Sequence, residues 1–140
     1  MASTYTYSSK DVAVVVDGYI IDTFNKVSVS FNEDRVSHSS ASTGHTTRVI
    51  QASTLGKIIL TLPQTTPRNA DLMAVYKNIL DNYATGVFAS ITVKDMLGNS
   101  IHKMTEASIL RAADADYEKG DTDRVWTFEG DLVRNSPLGN

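Results

Sequence analysis

The hydrophobic period of this chain switches from strand-like to helix-like in one place only. Val27, Val29 and Phe31 alternate with Ser28, Ser30 and Asn32, which gives one apolar and one polar face. Ile58, Leu60 and Leu62 share a face of Lys57–Leu62, Phe88–Asp95 alternates again, and Arg124–Val133 closes the chain as a further strand. Between them, Leu72, Val75, Tyr76, Ile79, Leu80 and Tyr83 recur at helical spacing over Ala70–Tyr83. Such a pattern demands a mainly β fold with one α-helix. Composition agrees: Val and Ile number 22 against 9 Leu, and Ser plus Thr make 29 of 140 residues. β-Branched side chains suit a pleated, half-buried surface, and too few leucines remain for a helical bundle.

Turn chemistry orders these pieces. Asp17-Gly18 between Val12–Val16 and Tyr19–Phe24 predicts a hairpin. His38–Thr47 (HSSASTGHTT) holds no apolar side chain larger than Ala41 and reads as a loop or hairpin tip, with Thr47–Ala52 resuming as a strand. Gly56 punctuates. Pro63 and Pro67 bracket a break, after which Asn69 can cap the helix and Gly86 close it. Gly98-Asn99 marks a turn before Ser100–Met104. Glu106–Ala113 fits either a helix or a strand, and Asp114–Asp123 is an acidic loop. The expected order is hairpin, long hairpin, helix, hairpin, strand. A chain of 140 residues should bury about 68–70% of its unfolded surface, enough for one core.

Several function classes drop out. The apolar fraction of 41% is too high for disorder, and the net charge of −3 supplies no bulk field for gripping nucleic acid. Cysteine is absent, so disulfides, thiol nucleophiles and cysteine-based metal sites are excluded. The longest apolar run, Val12–Val16, is far short of the roughly twenty residues of a membrane span, and residues 1–20 lack the pattern of a signal peptide.

Candidate chemistry is sparse. Asp114, Asp116, Glu118, Asp121 and Asp123 crowd one window, but an EF-hand starting at Asp114 would place Lys119 where glycine is needed and Val125 where glutamate is needed. His38, His45 and His102 form no metal-binding spacing. Gly56-Lys57 is followed by Ile58, so there is no phosphate loop, and no G-x-S-x-G elbow occurs. Glu33-Asp34 are chain neighbours and make a poor acid/base pair. Trp126, Phe128 and Leu132 share a parity with Arg124 as the one cation, which suits core packing better than stacking on nucleic acid. The chain is not expected to be an enzyme, and no cofactor is implied. Long polar extensions and open strand edges point instead to self-assembly.

Three stretches carry a resemblance. They are LGKIILTLPQTTPRNADLMAVY (Leu55–Tyr76, with Thr66, Pro67 and Asn69), FASITVKDMLGNSI (Phe88–Ile101) and GDTDRVWTFEGDLV (Gly120–Val133). In order and spacing the chain resembles the tail tube proteins of contractile-tailed bacteriophages, which are related to type VI secretion tube subunits. The resemblance implies a small β-sandwich or barrel flanked by one helix. It treats residues 1–140 as a single tail-tube-like domain with an arm at 1–10 and an extended hairpin tip at 38–47. It implies hexameric rings stacked into a tube inside a contractile sheath, in a virion tail assembled in the bacterial host cytoplasm. The implied partners are further copies of the chain, a sheath protein, baseplate and tail terminator proteins, and passing DNA held without sequence specificity, with no membrane. A tube subunit of a bacteriocin or secretion device is equally compatible. A ligand- or carbohydrate-binding β-sandwich, with Tyr5, Tyr7 and Tyr19 as its loose aromatic candidates, is the alternative from another class.

Within that frame, strand edges at Val27–Phe31 or Phe88–Asp95 are expected to pair between subunits. Inter-ring contacts fall to His38, Ser39, Ser40, Ser42, Thr43, Gly44 and His45 of the tip and to Tyr5 and Tyr7 of the arm. With the apolar parity of each strand turned to the core, Ser28, Ser30, Asn32, Ser90, Thr92 and Lys94 are left to face the lumen, Lys94 needing acidic neighbours such as Glu33 or Asp34.

Overall fold

A computed structural model describes residues 8–135. After a short 3-10 turn at Ser9–Asp11, strands β1 (Val12–Val16) and β2 (Tyr19–Ile21) form the first hairpin. Its turn residues both adopt positive φ, Asp17 at 50° and Gly18 at 89°, as a twisted two-residue hairpin requires. Then come β3 (Lys26–Phe31), β4 (Val36–Ser40), β5 (Thr46–Ile50) and β6 (Leu55–Pro63), helix α1 (Arg68–Asp81), β7 (Ala89–Asp95), β8 (Ser100–Ile109), β9 (Asp123–Asp131) and β10 (Val133–Asn135). The mainly β fold with one α-helix expected from the periods is the fold observed.

Among the described residues, eight strands join one antiparallel sheet in the order β2-β1-β7-β8-β9-β6-β3, with β10 beside β8, while β4 and β5 pair only with each other. The sheet curls on itself into two walls. Val12 and Val93 from the β1–β7 side and Phe24, Val27 and Val29 from the β3 side line one groove of about 380 Å³, so the inner faces of the walls look at each other. Val14, Val16, Ile58, Leu60, Leu62, Ile91 and Phe128 are completely buried between them. Ile58, Leu60, Leu62, Ile91 and Phe128 stand on the apolar parities read from the sequence. Trp126 and Leu132 join this core, each 2% exposed.

Gly56 does more than punctuate: it lies within β6, opposite Gly130 of β9. A Cβ on Gly130 would stand 2.6 Å from the Glu106 carbonyl oxygen, and one on Gly56 would stand 2.8 Å from the Ser30 carbonyl oxygen. Only residues without a side chain let four strands, β3, β6, β9 and β8, approach so closely here. Nearby, the β7–β8 register slips between Ala89 and Ile91, a bulge that turns Met104, Ala107 and Ile109 all inward. The ambiguous Glu106–Ala113 segment divides accordingly: it is strand as far as Ile109 and irregular beyond.

The helix differs from expectation at both ends. Pro67, not Asn69, holds the N-cap position, and no side chain caps it. Proline fits a helix start because it lacks the N–H that would go unused there. Asn69 sits inside the first turn. Its Nδ2 donates to the carbonyls of Pro63 (3.0 Å) and Thr66 (3.2 Å), and its Oδ1 accepts the Trp126 Nε1–H at 3.0 Å. One side chain therefore fastens the helix entry to the largest core residue. Leu72 and Val75 are buried and Met73, Tyr76 and Ile79 pack partly against the core, whereas Leu80 and Tyr83 are exposed. The apolar stripe is narrower than its sequence period because the helix rests on the barrel over little more than two turns. A 3-10 turn at Tyr83–Thr85 ends at Gly86, which takes the left-handed conformation at φ 72°.

Candidate interaction surfaces

Three features leave polar backbone or apolar side chains exposed among the described residues. The first is the hairpin β4–β5. Every residue from Val36 to Ile50 is exposed. Its register pairs Val36 with Ile50, His38 with Arg48 and Ser40 with Thr46 on one face, and Ser37 with Val49 and Ser39 with Thr47 on the other. The turn closes through Ala41 N–H to His45 O (2.8 Å) and Gly44 N–H to Ala41 O (2.9 Å), with Gly44 at φ 90°. Of the two readings of His38–Thr47, loop or hairpin tip, the described structure is the hairpin: His38, Ser39, Ser40, Thr46 and Thr47 are strand, and 41–45 is turn. Threonine and serine satisfy a ladder through their backbone even where no apolar period announces it.

The hairpin is fixed at its base. Arg35 donates from Nε to the Gln51 carbonyl (3.0 Å), Gln51 N–H returns a bond to Arg35 O (2.8 Å), and the guanidinium carbon lies 6.0 Å from the Phe31 ring centroid. An isolated two-stranded hairpin is marginal in water. This one is held at its base, and its strand residues are exposed.

The second feature is the free sheet edge. Among the described residues β2 and β3 end the sheet order. The expectation of an open edge at Val27–Phe31 therefore meets an edge strand, paired only with β6. Phe88–Asp95 does not: β7 lies between β1 and β8 with both sides occupied, so it has no edge to offer another subunit. Strand parity is written in the sequence, but neighbour order is not.

The third feature is the pair of outer wall faces. Ser28, Ser30 and Asn32 lie on the outer side of the β3–β6–β9 wall, where Ser28 aligns with Ile59 and Thr127 and Ser30 with Lys57 and Glu129. Lys57 Nζ and Glu129 Oε2 are 3.8 Å apart. Ser90, Thr92 and Lys94 lie on the outer side of the β1–β7–β8 wall, where Thr92 aligns with Val15 and Lys103 and Lys94 with Ala13 and Ile101. Because the inner faces look at each other, these outer faces look away from each other. Among the described residues no ion pair joins Lys94 to Glu33 or Asp34, which sit in the β3–β4 connection on the other wall.

Tyr5 and Tyr7 lie outside the described residues, and Tyr19 is exposed on β2. Among the described residues no group of three or more His, Asp or Glu side chains is arranged for a metal ion, and no helix is long and apolar enough to cross a membrane. His102 lines the groove between the walls, with Nδ1 buried and unpartnered. Burial first, and the charge of Arg134 second, hold its pKa below the usual histidine value.

An open-edged β-barrel with a projecting hairpin has counterparts among known proteins. The family described as the Bacteriophage PhiTE tail tube protein matches residues 4–135. The chain belongs to this tail tube family. No curated protein matches the sequence. Among solved structures, this tail tube chain is similar to the anti-feeding prophage cap, a tube terminating cap. The TM-score is 0.57 at 12% identity, covering 97% of this chain and 95% of that one. It is also similar to a chain of the PVC sheath–tube complex, an extracellular contractile injection system in its extended state, at TM-score 0.55 and 15% identity over 94% and 93% of the two chains. A chain of the PVC sheath/tube terminator gives TM-score 0.56 and 14% identity over 96% and 100%. Identities this low establish a shared fold and no more.

Proposed function

We propose that the chain is the structural, non-catalytic subunit of a virion tail tube. Copies close into hexameric rings, the rings stack inside a contractile sheath between baseplate and terminator proteins, and DNA leaves through the bore without being bound. The observation that carries this reading, beside family membership, is the hairpin β4–β5. All ten of its strand residues are exposed, and Val36, Val49 and Ile50 are at least 42% exposed. Apolar side chains on an unsupported ladder want cover from another molecule. The tip residues His38–His45 are assigned to the contact between rings, and the free edges of β2 and β3 to the contact within a ring, since closure removes open edges.

Of the two outer faces, the one bearing Ser28, Ser30 and Asn32 is the better bore. It carries hydroxyls, with Thr61 near the serines; its Lys57 lies 3.8 Å from Glu129, which leaves Lys26 as its exposed cation. The opposite face exposes Ile20 (65%) and Val133 (60%) along with Lys94 and Lys103, a mixture suited to a protein contact. Cations lining a DNA path would form phosphate contacts and slow passage.

Light scattering after size exclusion tests ring formation: hexamers or larger species are expected, and a sharp monomer at every concentration and salt defeats the proposal. Deleting Ser39–Gly44 should leave folded subunits that no longer grow into long tubes under negative stain. Lysine at both Ser28 and Ser30 should leave particle morphology intact and reduce infectivity. Undiminished infectivity moves the bore to the other face.

A further inference from the structure

We propose that rings join head to tail by charge. The cationic face of hairpin β4–β5 on one copy seats on the acidic 111–123 segment of a second copy in the next ring. This rests on the reading of the hairpin as an inter-ring contact and names the surface that receives it.

Charge is segregated along this chain. From Arg35 to Ala70 there is no acidic residue, while Arg35, Arg48, Lys57 and Arg68 fall within that stretch. Arg35 is spent on the hairpin base, so Arg48, beside His38, is the cation that the hairpin presents outward, flanked by Val36 and Ile50 on the same face. Asp114, Asp116, Glu118, Asp121 and Asp123 supply the opposite charge, against Arg111 and Lys119. The acidic segment also offers a shape. Asp114, Asp116 and Asp123 line a cleft of about 190 Å³ together with Arg111, Val125 and Thr127. Beside it Leu110 and Tyr117 are 49% and 80% exposed. Each surface thus combines apolar side chains with a net charge, and the net signs are opposite. Arg111 and Asp114 are 4.0 Å apart with both side chains nearly 80% exposed, a weak pair that an incoming guanidinium can replace.

The two surfaces lie at opposite ends of one wall. The hairpin leaves from the end where Leu55 meets Asp131, and the acidic segment enters at the end where Pro63 meets Asp123. The eight residue steps between those ends span about 27 Å of extended strand, and the cleft reaches back from Asp123 along β9 as far as Thr127. Complementary patches at opposite poles make a heterologous contact that repeats without closing, which is the geometry of a growing stack.

Arg48 and Asp116 are both exposed, which makes them safe positions for charge reversal. Stacking of the full chain is followed by sedimentation velocity and negative stain, with thermal melts confirming that each variant folds like the parent. Arg48→Glu and Asp116→Arg should each raise the concentration for half-maximal stacking by about tenfold, since a ring multiplies every lost contact. Raised salt should weaken the parent in the same direction. Combining R48E with D116R should return stacking to within about threefold of the parent. A combined variant no better than the single ones, or single variants that stack like the parent, overturns the proposal. If deletion of Ser39–Gly44 stops stacking while charge reversal does not, the hairpin keeps its inter-ring role and only the acidic seat is lost. A parent that never assembles removes both.

Discussion

Strands β5 and β6 are close in sequence and drawn from the same residue types, yet their burial is opposite. In β6, Ile58, Leu60 and Leu62 are fully buried. In β5, Val49 is 42% exposed and Ile50 59%. Both sit in well-formed antiparallel ladders. What differs is company: β6 has β3 and β9 on its two sides and a second wall across the core, whereas among the described residues β5 has β4 alone. A ladder satisfies backbone groups, but only a second layer removes apolar side chains from water. The exposed ladder is therefore a layer with no second layer across it among the described residues.

The difference can be broken most severely on the buried side. Trp126→Ala removes a core side chain and the donor to Asn69, and should cost about 3–5 kcal/mol, read as a large fall in the chemical-denaturation midpoint. Gly130→Ala forces a Cβ against the Glu106 carbonyl and should cost about 1–3 kcal/mol by the same measurement, because the obstacle is backbone and cannot rotate away. Asn69→Ala should cost about 1–2 kcal/mol, since the buried Trp126 N–H loses its acceptor. Were Asn69 a helix cap instead, Asn69→Ser would restore the loss; here serine is too short to serve both ends and should not.

A smaller effect is expected from His102. Its pKa is depressed in the folded state, so the unfolded chain takes up a proton first as pH falls. Stability from this group is complete above the unfolded value of about 6.5 and is lost as pH drops towards the folded value. Denaturation at pH 7.5 and at pH 5 should show a shallower decline for His102→Gln than for the parent; equal declines would remove His102 as the cause. Least affected of all should be the hairpin: Val49→Ser should change subunit stability by less than about 0.5 kcal/mol, in contrast to Leu60→Ser in β6. A comparable loss at both positions would mean that the hairpin face is covered within the subunit.

The sequence by itself determined which residues turn inward. Period two placed Ile58, Leu60, Leu62, Ile91, Val93, Trp126 and Phe128 in the core, Asp17-Gly18 made its hairpin, and a single helical period made one helix. These are local matters, set by backbone geometry over a few residues. Only the tertiary structure decided which strands are neighbours, that β7 is central, and that the polar faces of β3 and β7 look in opposite directions. It also decided that Asn69 holds Trp126 and that Leu80 and Tyr83 stay in water. Those outcomes depend on how a curled sheet brings distant segments together. Alternation along a strand records that it has an inside and an outside, but not which wall it joins or what lies beyond it.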